Sequence, residues 1–230
     1  MENHLLIGID NGGLLYQLFY LAAFLVAYAI LIYEGWKRRF PLLSWVLILA
    51  AIRMAVVIGT KVFSYSPDEW QYMFENHIFL PNAQKTMFGG FLLGVVAWLV
   101  VSRLLKFRKP AWDAVAYVIP AAVAIQSLGC FFYGCCFGTP SSLPWAVQYP
   151  VMSLAHYHQF EAGLLTLNDN YSLPVHPVQL YESLGALIVL VLVFLFRRRW
   201  KADGSLFLSS LIFFATVSYT HLTLPTKRIV

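Results

Sequence analysis

The sequence predicts an all-α fold, a polytopic transmembrane helical bundle with about six spans, and three observations predict it. The chain has 230 residues, 60% hydrophobic and 12% charged, whereas a soluble domain carries about 25% charged residues. The apolar residues gather in long runs of roughly the 20 residues that a helix needs to cross a bilayer. Short basic clusters follow every second run, as the bias of Lys and Arg toward one membrane face requires.

The elements follow in order. Leu14–Tyr33 holds no charge, and Leu42–Thr60 holds only Arg53. Thr86–Ser102 is uncharged and can extend at both ends. No Asp, Glu, Lys or Arg occurs from Ala114 to Phe160, and the first part of that stretch, to about Phe132, reads as a fourth span. Pro177–Phe196 reads as a fifth, with Glu182 near its start. A sixth begins at Gly204 and stays apolar to about Val217, roughly 13 residues and short of bilayer thickness. No basic segment precedes the first run and no small-residue cleavage site follows it, so that run is expected to remain as an anchor.

The clusters Lys37-Arg38-Arg39, Arg103 to Lys109 and Arg197 to Lys201 hold eleven of the sixteen Lys and Arg. All three follow odd-numbered spans, which predicts a cytoplasmic location for them and an external N-terminus. Because the basic residues flank apolar runs and form no basic face of a soluble fold, nucleic acid is excluded as a partner. The polar stretch Ser64–Lys85 and the Pro-, Gly-, Ser- and His-rich stretch Gly138–Val175 then fall outside, and loops of that length commonly carry function.

The tail Val217–Val230, VSYTHLTLPTKRIV, interrupts the sixth run and resembles a translated transposon-type sequencing adapter. The expectation is therefore one native transmembrane domain over 1–216, a non-native segment over 217–230, and a seventh span in the full-length protein.

Within the predicted spans, ionisable groups are costly and mark function. Arg53 lies about 11 residues into its helix, near mid-bilayer at ~1.5 Å rise per residue. It should face the bundle interior and meet an anion, either Glu182 or a lipid phosphate. His176 can act as a base near neutral pH or simply start a helix. Lys61 and Lys85 on the external side suit anionic headgroups or interfacial snorkelling. The three cysteines, Cys130, Cys135 and Cys136, allow packing, a disulfide or a metal. Their Cys-x4-Cys-Cys spacing departs from usual zinc motifs, so packing is favoured and neither a metal nor another cofactor is expected. Gly129, Gly134 and Gly138 permit tight turns or close helix approach.

Two stretches stand out: Gly129-Cys-Phe-Phe-Tyr-Gly-Cys-Cys-Phe-Gly-Thr-Pro, followed by Leu143-Pro-Trp-Ala-Val and Tyr149-Pro150, and Val175-His-Pro-Val-Gln-Leu-Tyr-Glu ending at Glu182. With Gly89-Gly90 opening the third span, they resemble the prolipoprotein diacylglyceryl transferase family from about Leu14 to Thr216. The resemblance implies a multi-pass protein of the bacterial cytoplasmic (inner) membrane. It would act in lipoprotein biosynthesis, moving a diacylglyceryl group from phosphatidylglycerol to a cysteine thiol of a lipoprotein precursor peptide and releasing glycerol phosphate. It further implies catalytic roles for His176, Tyr16 and Glu182. Substrate-binding roles fall to Arg53, Lys61, Gly89, Gly90, Gly129, Gly134, Gly138, Gln179 and Tyr181. Phe88 stands where the best-known members have a histidine, and Ser127, Cys130 and Cys135 stand where they have arginine, asparagine and glutamate. Those departures keep open a non-catalytic lipid- or lipoprotein-binding protein on the same scaffold. A small transporter rests on Arg53 and Glu182 alone, and no paired broken helices support it.

Overall fold

The computed structural model describes the backbone at residues 5–6, 12–78, 86–197, 199 and 202–223, and side chains at 13–78, 86, 88–197, 199 and 202–216. Lys85 and the last seven residues of the tail fall outside this set. The elements run β1 (Leu5–Leu6), α1 (Gly12–Lys37), α2 (Leu42–Val62), α3 (Pro67–Asn76), α4 (Met87–Leu104), α5 (Trp112–Val115), α6 (Val118–Tyr133), β2 (Val147–Gln148), α7 (Leu154–Glu161), α8 (Val178–Phe196) and α9 (Ser205–Thr223). Among the described residues four segments are long and apolar enough to cross a membrane: Gly13–Lys37, Leu42–Val62, Trp112–Tyr133 and Val178–Phe196. Phe88–Leu104 and Ser205–Thr216 are shorter apolar helices. The all-α bundle expected from the apolar runs is therefore present. Two differences have local causes. The fourth span is interrupted after α5, and Pro120 falls in the opening turn of α6, where a missing N–H costs no hydrogen bond. Helix α9 continues to Thr223, past the point where apolar character fades.

The chain forms two compact units, residues 32–109 and residues 1–31 with 110–230. In the first, α2 packs along α4. The approach is backbone to backbone: a Cβ placed on Gly59 would overlap the carbonyl of Gly89, and one on Gly89 would overlap the carbonyl of Gly59. Small residues at such crossings are what allow helices without a hydrophobic driving force to associate in a membrane. At the other end of α2, Trp45 is fully buried and packs with Phe40, Trp98 and Phe107. The buried Glu34 carboxylate receives Lys37 at 3.2 Å and Arg38 at 3.0 Å, so two residues of the first basic cluster neutralise the one acid near it. Helix α3 starts in the polar loop by local rules alone. Ser66 accepts from the Glu69 N–H, Glu69 accepts from the Ser66 N–H, and Pro67 occupies the first helical position.

In the second unit, α8 packs against α6 and α9, and α5 touches α9. Burial follows helical spacing on α8: Gln179, Ser183 and Ala186 recur every three or four residues and face inward. Ser183 donates to the Ala124 carbonyl at 2.7 Å, and Ser210 to the Ala116 carbonyl at 2.7 Å. Asp113 accepts from the Phe207 N–H at 3.0 Å and so satisfies a donor in the first turn of α9. The loop 138–175 folds onto its own core. Phe131, Phe137, Val147, Tyr149, Ala155 and Val175 cluster there, with Phe132 and Leu180 beside them. Backbone ties fix its edges: β1 pairs in parallel with β2, and Val147 exchanges both hydrogen bonds with Val175 at 3.0 and 2.9 Å.

Replacing Gly59 by Leu is expected to force α2 off α4. The cost should be about 1–3 kcal/mol or more, the range for overpacking, read as a lowered thermal unfolding midpoint of the detergent-solubilised chain. Gly13→Leu, where open space surrounds the added side chain, should leave that midpoint unchanged.

Candidate functional site

The polar groups of the second unit converge where α6 ends and α8 begins. Helix α6 stops at Gly134, which adopts φ 74°, a left-handed conformation that favours glycine. The Cys135 N–H reaches back to the Cys130 carbonyl at 3.2 Å and the Gly134 N–H to the Phe131 carbonyl at 3.3 Å. This is the double closure that commonly ends helices. Cys136 follows at φ 59°, uncommon for a residue with a Cβ. The reversal returns the chain over its own last turn, so the sulfurs of Cys130, Cys135 and Cys136 all lie within 4.8 Å of one another. All three are half-buried, and none is in a disulfide. Hydrogen bonding to Cys130 and Cys136, together with burial, pushes the Cys135 thiol up from its ordinary range.

Gln179, with no exposed surface, ties this turn to α8. Its Nε2 donates to the Cys135 carbonyl at 2.7 Å and lies 3.3 Å from the Tyr149 hydroxyl. Tyr149 in turn donates to the Phe131 carbonyl at 3.1 Å, and its ring packs on Gly134. Burial raises the Tyr149 hydroxyl above its usual range, so it remains a neutral donor. Among the described residues Gln179 Oε1 has no partner.

Beside this tie, Gly138 and His176 interlock. The Gly138 N–H donates to the His176 carbonyl at 3.0 Å and the His176 N–H to the Thr139 carbonyl at 3.1 Å. A Cβ on Gly138 would meet His176 Cβ at 2.7 Å, so glycine is required by a close approach here. His176 Nδ1 lies 3.4 Å from the Tyr181 hydroxyl, which accepts from Trp145 Nε1 at 2.7 Å. Burial lowers the His176 pKa from 6.5, which leaves the imidazole neutral at physiological pH. One turn along α8, Glu182 Oε2 accepts from Ser127 at 3.1 Å.

Tyr16 stands in α1 with its ring 5.3 Å from that of Tyr133. Gly129 lets α6 approach the same turn of α1, since a Cβ there would meet Phe19 Cβ at 2.9 Å. The structure thus brings Tyr16, Gly129, Gly134, Gly138, His176, Gln179, Tyr181 and Glu182 into one unit. Arg53, Lys61, Gly89 and Gly90 belong to the other. There Arg53 and Lys61 are half-buried on α2, and Gly90 packs on Thr60. Sequence reasoning gave no role to Trp145 or Tyr149. The only signal for them was their place in the runs Leu143-Pro-Trp-Ala-Val and Tyr149-Pro150.

These features define a polytopic helical membrane protein with a polar, thiol-rich site where two of its helices meet the loop 138–175. The family model described as prolipoprotein diacylglyceryl transferase matches residues 14–220, and the chain belongs to that family. Its similar relatives include proteins named phosphatidylglycerol–prolipoprotein diacylglyceryl transferase. That of Ralstonia pickettii (strain 12J) is 30% identical over 172 residues, covering 66% of this chain and 56% of the relative. That of Prochlorococcus marinus (strain NATL1A) is 28% identical over 192 residues, 75% and 59%. That of Finegoldia magna (strain ATCC 29328 / DSM 20472 / WAL 2508) is 30% identical over 171 residues, 72% and 57%. The chain spans less than three-fifths of the length of these relatives.

Gln179→Leu removes the donor to the half-buried Cys135 carbonyl and is expected to cost about 1 kcal/mol or more, the scale of a lost hydrogen bond. The check is the shift in thermal unfolding of the detergent-solubilised variant against the parent chain.

Proposed function

We propose that this chain transfers diacylglyceryl from phosphatidylglycerol to the cysteine thiol of a lipobox peptide, in the bacterial inner membrane and with its N-terminus outside. The observation that carries the reading is a neutral, half-buried His176 held beside Tyr181 and Trp145 in a family member. If His176 donates Nδ1–H to the Tyr181 oxygen, its Nε2 keeps a lone pair for the thiol proton. The Tyr181 hydroxyl can accept from Nδ1 or donate to it, and the transfer reading requires the first.

The reaction needs the thiol as thiolate, because the thiolate is the nucleophile. The sulfur attacks the glyceryl carbon bearing the phosphate ester. The carbon–oxygen bond breaks, and glycerol phosphate leaves with the electron pair. His176 accepts the thiol proton as general base. Tyr16 and Glu182 flank the reacting region and orient it by hydrogen bonds. We assign to Arg53 and Lys61 the attraction of the anionic headgroup, a natural use of a cation held within a membrane span. Gly89 and Gly90 serve lipid binding indirectly, through the close packing of α4 on α2 that they allow. Ser127, Cys130 and Cys135 occupy positions where the resemblance implies arginine, asparagine and glutamate, and this favours a second reading in which the scaffold binds lipid or precursor without transfer.

Thioether formation on a lipobox peptide in phosphatidylglycerol nanodiscs tests the proposal. Because burial depresses the His176 pKa, the base stays available until the pH falls below 6.5. The rate should therefore be level through neutrality and decline below 6.5. His176→Gln should lower kcat at least about 100-fold, the lower range for a general base, and abolish that acid limb. Arg53→Gln should raise KM for phosphatidylglycerol. A His176→Gln chain with full activity removes His176 from the reaction. A folded parent chain that binds phosphatidylglycerol and peptide without transfer supports the binding reading.

A further inference from the structure

The thiol cluster has a geometry that its linear spacing conceals. Cys130 lies on the last turn of α6, and Cys135 and Cys136 follow the left-handed turn that folds back over it. The three sulfurs lie within 4.8 Å of one another, and among the described residues no His, Asp or Glu joins the group. Thiolates around one tetrahedral zinc at ~2.3 Å lie roughly 3.8 Å apart. Closing the cluster onto an ion therefore needs shifts of about an ångström or less. Three ligands leave a fourth position open, the arrangement of catalytic rather than structural zinc. The cluster is half-buried, so this position remains approachable. Gln179 bonds the Cys135 carbonyl at 2.7 Å, which holds the cluster at the start of the helix that carries Glu182.

We propose that Cys130, Cys135 and Cys136 form a three-thiolate zinc site whose open position takes the incoming lipobox thiol as a thiolate. The inference rests on the transferase reading and specifies how that reaction activates its nucleophile. Zinc deprotonates a coordinating thiol outright. The acceptor S–H bond breaks, its proton leaves to His176 through solvent, and a zinc–sulfur bond forms in place of bound water. That sulfur then attacks the glyceryl carbon as the phosphate ester bond breaks, and the thioether product leaves the ion. No oxidation state changes. Three thiolates outweigh the two charges of the ion, so a fourth sulfur keeps nucleophilic character while bound.

Cobalt(II) substitution in the reduced full chain tests the site. The purified protein, in nanodiscs of phosphatidylglycerol, should bind one Co(II) with sulfur-to-cobalt charge-transfer absorption and tetrahedral ligand-field bands. A lipobox peptide should shift the ligand-field bands, and the same peptide with serine in place of its cysteine should not. Cys135→Ser should weaken Co(II) binding about tenfold or more. Stripping the parent chain with a chelator should lower transfer at least tenfold, with recovery on Zn(II) and none on Mg(II). The parent-chain spectra stand whether or not the variant folds. Absent charge-transfer absorption, a disulfide in the reduced preparation, or undiminished transfer after stripping each overturns the zinc site and leaves the transferase reading in place. Cobalt binding with the peptide-dependent shift but no transfer under Zn(II) supports the site and overturns the transferase reading instead.

Discussion

The buried amide of Gln179 is the constraint on which the site depends. It reaches the Cys135 carbonyl at 2.7 Å and the Tyr149 hydroxyl at 3.3 Å, and so joins the end of α6, the start of α8 and the loop 138–175 through one side chain. The Gln179 amide is fully buried, and a buried amide without partners carries the cost of desolvation, so Gln179 and the turn carrying the cysteines have reason to stay together. His176, Tyr181 and Glu182 lie within three residues of Gln179 on the same stretch of chain. Their positions follow from the same tie.

The glycines around this tie serve distinct purposes. Gly134 provides the left-handed backbone that ends α6 and the flat surface against which Tyr149 packs. Gly138 provides the space that His176 Cβ would otherwise contest. The cysteine positions then acquire a chemical meaning that composition alone does not give. A helix-ending turn of this type brings residues one and six of the motif together in space, and here both are cysteines.

The helices were legible in the sequence because each is an apolar run bounded by charge or proline, and the first, second, third and fifth expected spans each overlap one helix nearly end to end. The break before α6 was not legible, because apolar composition does not register a change in backbone direction. Helix α3 could have been read from Ser66-Pro67-Asp68-Glu69, a capping box with proline at the first position. The motif His176 to Glu182 stood out by its residues, yet its hydrogen-bond partners did not. Trp145, Tyr149 and Ser127 lie 36, 30 and 55 residues away from the groups they serve, and only the folded loop joins them. The gathering of the three sulfurs was not legible either, because the left-handed turn that brings them together has no signature in residue count.

A double-mutant cycle between Gln179→Leu and Tyr149→Phe tests the central tie most directly, with unfolding free energies measured on the detergent-solubilised chain. If one network holds the turn, each single change already loosens it, and the two costs should depart from additivity by about 0.5 kcal/mol or more. Costs that add within about 0.3 kcal/mol would mean the two side chains act independently, and the account of the site as one tied unit would fail.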